Sequence, residues 1–168
     1  MNIELKPFDK SCPSLVEGQF EETPDCLIFK WTLPSDSKIL IPPPSEQNRI
    51  VGLWESTCFE VFLKNIETSH YLEFNFSPST DWNAFSFETY RGELKELELP
   101  TPSMTFDGRT FEVIFIKNHL PTEFNKPGLR SHWMTTVLKF EDGRLQYLAP
   151  KHPEKAPDFH QFFDEFTF

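Results

Sequence analysis

The chain is short of the residues that build covalent and metal scaffolds. Its three cysteines, Cys12, Cys26 and Cys58, are widely spaced and form no Cys-x-x-Cys pair. Neither a disulfide framework nor a structural zinc site is expected. Its six glycines are scattered, with no G-x-G-x-x-G and no P-loop, so the backbone cradle of a phosphate-binding loop is missing. Basic residues number 16 against 26 acidic ones, a net charge of −10. That balance argues against nucleic acid or an anionic membrane surface as partner. No apolar run approaches membrane-spanning length, and Met1-Asn2-Ile3-Glu4-Leu5-Lys6-Pro7-Phe8 is not the start of a secretory signal. The expected location is the cytoplasm.

What the chain does have is phenylalanine, with 19 copies, and proline, with 15 in 168 residues, against an average proline usage of about 5%. Many aromatics and prolines favour short strands and turns over helices. The length suits one domain, spanning residues 1–168, with a single core.

Two stretches organise the rest. Residues 52–63 and 70–79 both alternate with period 2, the pattern of half-buried strands. Thr57, Phe59, Val61 and Leu63 share one face with Leu72, Phe74 and Phe76. Cys58, Glu60 and Phe62 share the other with Tyr71, Glu73, Asn75 and Ser77. Paired as a hairpin with Phe62 facing Tyr71, Glu60 falls opposite Glu73 and Cys58 opposite Asn75. Directly opposed carboxylates repel, so a cation, a shared proton or exposure to water is expected to accommodate them.

Further strands are expected over residues 3–8, 15–22, 26–33, 38–41, 82–91 and 93–99. In the stretch 82–91, Phe85 and Phe87 are expected in the core, which puts Trp82, Glu88 and Tyr90 on the face of Glu60 and Glu73. Asp107-Gly108 and Asp142-Gly143 each mark a hairpin turn. A loop with one helical turn should fill 117–131, a polar, proline-rich tail should follow 149, and 162–168 should add a last edge strand. Trp31 and Trp133 sit in apolar strand patterns and read as core. Roughly nine to eleven short strands predict an all-β fold, an antiparallel β-sandwich of jelly-roll or immunoglobulin-like type.

The run Leu53-Trp54-Glu55-Ser56-Thr57-Cys58-Phe59-Glu60-Val61-Phe62-Leu63, with Glu73-Phe74-Asn75-Phe76-Ser77-Pro78-Ser79 and Trp82, resembles the bacterial DOMON-like ligand-binding domains. These are similar to the family-9 carbohydrate-binding modules. The tail Tyr147-Leu148-Ala149-Pro150-Lys151-His152-Pro153 with Pro157-Asp158-Phe159-His160 also resembles the end of such proteins. The resemblance implies a β-sandwich with a ligand cleft on one sheet. In the carbohydrate-binding relatives, tryptophans stack on a sugar and polar side chains bind its hydroxyls.

Carried onto this chain, Trp54 and Trp82 are expected to stack on a saccharide. Glu60, Glu73, Asn75 and Arg91 would bind hydroxyls, while His152 and His160 would close over the site from the tail. The expected activity is binding without catalysis. The rivals are a carbohydrate-active enzyme built on Glu60 and Glu73, a haem-binding domain, and a protein-interaction module. No cofactor is expected. Haem would need axial ligands such as Met104 or Met134 with a histidine, and calcium would draw on the carboxylates and Asn75 without an Asp-rich loop. Cys58, beside two carboxylates, reads as a small, partly buried thiol and not a nucleophile.

Overall fold

The computed structural model describes residues 1–10, 15–35, 38–126 and 130–161. Eleven antiparallel strands form one curled sheet that folds over on itself, in the order β7-β6-β5-β4-β10-β11-β1-β2-β3-β9-β8. In chain order these are β1 (Asn2–Pro7), β2 (Val16–Glu22), β3 (Cys26–Thr32), β4 (Cys58–Asn65), β5 (Tyr71–Phe76), β6 (Trp82–Phe87), β7 (Lys95–Glu96), β8 (Ser103–Phe106), β9 (Thr110–Ile116), β10 (Arg130–Lys139) and β11 (Leu145–Ala149). The all-β, sandwich-like expectation holds. The only α-helix among the described residues is the single turn α1 (Thr122–Asn125), and no described helix is long and apolar enough to cross a membrane.

The fold over occurs at β1. Its first half pairs with β2, Ile3 against Gly18, and its end pairs with β11, Lys6 against Ala149 and Pro7 against Leu148. A strand that changes partners in this way makes the corner of a sandwich. The first sheet is β2-β3-β9-β8 and the second is β7-β6-β5-β4-β10-β11. Between them lies the main core, where Leu27, Phe29 and Trp31 of β3 meet Phe59 and Val61 of β4, Phe74 and Phe76 of β5 and Met134 of β10. The rings of Phe59 and Phe111 stack at 4.8 Å across the two sheets. The Trp31 indole N–H donates to the Thr135 carbonyl at 3.1 Å, which satisfies the one polar atom of a fully buried ring.

Several expectations need correction. The hairpin of β4 and β5 keeps the expected faces, but its register differs by two residues: Glu60 faces Asn75, Phe62 faces Glu73 and Lys64 faces Tyr71. A shift of two preserves every side chain's face, so the alternation pattern is blind to it. In β6 the faces are reversed. Trp82 and Ala84 join the main core, whereas Phe85 and Phe87 lie on the side of Cys58, Phe62 and Tyr71. Trp133 is buried, yet in that second cluster and not in the main core. The expected strand at 38–41 is a single bridge from Ile39 to Phe140, and that at 93–99 shrinks to Lys95–Glu96. The expected edge strand at 162–168 lies outside the described residues, as does Cys12.

Candidate functional site

The outer face of the second sheet is covered. Every residue of β5 is buried, and so are nine of the ten in β10. Three segments do the covering. The first is a 3₁₀ turn, Leu53–Glu55, which begins at Gly52 with φ 89°, a left-handed backbone that glycine adopts without strain. It lays the half-buried Trp54 ring against the edge of Phe85, centroids 6.1 Å apart. The second is the turn after β6, where the Gly92 N–H donates to the Thr89 carbonyl at 3.0 Å. A Cβ at Gly92 would lie 2.8 Å from Thr89 Oγ1 and 3.2 Å from its carbonyl, so a side chain there would force Thr89 to shift, and the turn swings Arg91 (φ 47°) over the sheet. The third is the tail at 157–160. Asp158 accepts from Arg91 Nη2 at 2.8 Å and from the Tyr90 hydroxyl, and the Phe159 ring packs against Tyr147.

Between these covers and the sheet is a cavity of about 370 Å³, at the lower end of the ~300–1,000 Å³ of small-molecule sites. Its walls include Trp54, Phe87, Val137, Tyr147 and Phe159; its polar groups are Glu60, Glu73, Arg91 and His160. Strand pairing positions the two acids. In the outer rows of the sheet, Thr135 of β10, Glu60 of β4, Asn75 of β5 and Asn83 of β6 stand side by side, and the next row runs Trp133, Phe62, Glu73, Phe85. Glu60 and Glu73 are therefore diagonal neighbours, with Cβ atoms separated by roughly 7–8 Å or somewhat less.

Each acid has a dedicated hydrogen bond. Thr135 Oγ1 donates to Glu60 Oε2 at 2.9 Å, and Asn75 Nδ2 donates to Glu73 Oε1 at 2.8 Å. Both carboxyls are nonetheless held above the ordinary carboxylate range. Burial is the main cause in each, and for Glu60 the nearby charge of Glu73 adds to it. Burial, with the charge of Glu60, likewise pushes the Cys58 thiol up. His160 moves the other way, to about 4, because it is buried and then because it lies near Arg91. A neutral His160 fits its contacts. The Arg91 backbone N–H donates to Tyr71 Oη at 3.2 Å, Tyr71 Oη lies 2.8 Å from His160 Nδ1, and Nε2 is turned toward Glu73 Oε2 at 3.7 Å.

Of the residues expected to form the site, the fold brings Trp54, Glu60, Glu73, Arg91 and His160 to one cavity. Asn75 is fully buried behind it as the support of Glu73. Trp82 does not reach it: its ring is 1% exposed in the main core, under the Arg49 guanidinium at 4.8 Å. His152 stands one ring back, its Nε2–H donating to the Lys6 carbonyl at 2.7 Å and its ring 6.3 Å from Phe159. The reading from sequence missed Phe87, Thr135, Tyr147, Asp158 and Phe159. The nearly unbroken apolar run Cys58-Phe59-Glu60-Val61-Phe62-Leu63 was the available signal, since such runs mark strands covered on both faces. Among the described residues no three His, Cys, Asp or Glu side chains converge as metal ligands. Met104 and Met134 lie in the main core.

No protein-family profile and no curated protein matches the sequence. In structure, the chain is similar to a crystal structure from Bacteroides uniformis ATCC 8492 named a "putative carbohydrate-binding protein". The TM-score is 0.56 at 11% identity, over 94% of this chain and 82% of that one. The likeness is one of fold.

Proposed function

We propose that this protein is a non-catalytic binding domain that takes a saccharide into the cavity on the covered face of its second sheet. The observation that carries the reading is the convergence of a half-buried tryptophan, two carboxyls and an arginine on one small cavity. Sugar rings present an apolar C–H face and a rim of hydroxyls, so aromatic walls with a few fixed polar groups suit them. The fold shared with the "putative carbohydrate-binding protein" from Bacteroides uniformis supports this reading, as does the resemblance to DOMON-like domains and family-9 modules. Trp54 would stack on the ring, Glu60, Glu73 and Arg91 would bind hydroxyls, and His160 would close the end of the cavity.

Titration of tryptophan fluorescence with a panel of mono- and oligosaccharides tests it. A saturable shift for one sugar class is expected. In Trp54→Ala, calorimetry should show at least tenfold weaker binding, about 1.4 kcal/mol, with the fold intact. A flat response across the panel in the wild type removes the reading.

One observation keeps an enzymatic rival in view: two buried carboxyls with raised proton affinity are the raw material of acid–base catalysis. Glycoside turnover that vanishes in Glu60→Gln would decide for it.

A further inference from the structure

Once Glu60 and Glu73 are both ionised, the charges around the cavity do not balance. Arg91 is the only lysine or arginine among its lining residues, and its guanidinium is already matched by Asp158 at 2.8 Å. The titratable groups packed around the two acids come from every side: Cys58 on β4, Tyr71 on β5, Tyr147 on β11, Tyr90 and Arg91 from the turn after β6, Asp158 and His160 from the tail. The cavity-side residues of β6 and β10, namely Asn83, Phe85, Phe87, Trp133, Thr135 and Val137, carry no titratable group. No second cation offsets Glu60 and Glu73 among the described residues of this shell.

Hydrogen bonding is incomplete in the same place. Glu60 is 3% exposed, yet its Oε1 accepts no hydrogen bond from any described residue. Glu73 Oε2 is 3.7 Å from His160 Nε2, too long for a hydrogen bond. One oxygen of each acid is thus left for a donor in the cavity that both side chains line. Both acids line the cavity, so a donor on a ligand there would take the place of water at these oxygens.

We propose that the cavity selects an amino sugar, whose protonated amine docks between Glu60 and Glu73; this rests on the saccharide reading above. An ammonium group brings three N–H donors and a positive charge, which meets both deficits at once. A hydroxyl supplies one donor and no charge. The aromatic wall of Trp54 also favours a cation, and the overall charge of −10 draws cations toward the protein. The apolar surfaces of Phe87, Val137 and Phe159 remain for the C–H face of the ring. Both acids hold their protons more tightly than ordinary carboxyls, so the arriving cation draws them into their charged forms and their protons leave to solvent.

Calorimetry at neutral pH separates this from the general reading. Glucosamine, galactosamine and mannosamine are each titrated beside the neutral parent sugar and the N-acetyl form, into wild type, Glu60→Gln and Glu73→Gln. At least one amino sugar is expected to bind about tenfold or more tighter than its parent and its N-acetyl form, an increment typical of one charge-assisted contact. In either folded variant that preference should shrink toward parity. If one variant does not fold, the other and the wild-type ratio still carry the test. A neutral or N-acetyl sugar that binds the wild type as tightly as the amine overturns the inference and leaves the saccharide reading standing. A preference unmoved in both folded variants also overturns it. Absence of binding by any sugar removes both.

Discussion

In the first sheet, β3 alternates along its whole length, with Leu27, Phe29 and Trp31 buried and Ile28 and Lys30 between them half exposed. In the second sheet, β5 carries the same kind of alternating sequence, Tyr71-Leu72-Glu73-Phe74-Asn75-Phe76, and every residue of it is buried. The strands differ less in their residues than in what lies over them. Water covers the outer face of β3, whereas the Trp54 turn, the turn carrying Arg91 and the tail cover that of β5. A carboxylate on the first sheet's outer face, Glu112, pairs with Lys30 at 2.8 Å and keeps partial contact with solvent. Glu60 and Glu73 have lost most of it. A polar residue in a strand pattern does not by itself mean an exposed face; covered, it becomes the polar part of a cavity.

The strongest way to break this comparison is to truncate one outer-face residue in each sheet. Phe85→Ala should cost ~3–5 kcal/mol, as for a core phenylalanine, while Ile28→Ala should cost no more than ~1 kcal/mol because the site already meets water. Urea unfolding of the two variants reads the difference, and equal costs would mean that the second sheet's outer face is not a true core.

A subtler contrast uses pH. Glu60 has its folded pKa raised, mainly by burial. The unfolded chain therefore ionises first, so stability is full below the ordinary carboxylate pKa of about 4.3 and falls as pH rises through the folded value. Glu60→Gln should be more stable than wild type by ~1–3 kcal/mol at pH 8 and equal to it at pH 4. Glu22, at the first sheet's edge, should behave in the opposite sense. Burial tends to raise its pKa, but hydrogen bonds and charges from Lys117 and Arg130 outweigh that and hold it low. Its contribution is present above the unfolded pKa and is lost as pH falls. Glu22→Gln should thus lose stability at neutral pH and converge on wild type in acid. Melting curves of both variants across pH would show crossing trends, and parallel trends would refute the contrast.

The smallest expected effect concerns the covers. Asp158→Asn weakens the ion pair with Arg91, whose guanidinium is half exposed, and should cost under ~1 kcal/mol of global stability. Amide exchange at 157–160 should nevertheless quicken while the strands of the main core stay protected. Quickened exchange in the strands would show that the tail is part of the core and not a cover.

Much of the fold could be read from the pattern of residues, because each strand's alternation is a local consequence of the pleat. Trp54, Glu60, Glu73, Arg91 and His160 were singled out by their residue types and the resemblance of their flanking motifs, and the fold lines one cavity with all five. Trp82 was misjudged for an identifiable reason. With Phe85 and Phe87 assigned to the core by hydrophobicity, the parity of β6 sent Trp82 outward, whereas two aromatic layers back to back made both faces apolar. Phe159 and Asp158 lie more than 80 residues from Glu73 in the chain, and no local period reports such an encounter.

By itself, then, the sequence determined an all-β chain, its hairpin turns, the faces of β4 and β5 and the poverty of positive charge. Those follow from side-chain periodicity, turn chemistry and composition, which act over a few residues or over the chain as a whole. The tertiary structure alone decided the register that sets Glu60 diagonal to Glu73, the folding over of the sheet at β1 and the cover that makes a cavity of the second sheet's outer face. These depend on which distant segments pack together, and a shift of two residues or a covering loop leaves the local pattern unchanged while altering which charges lose their water.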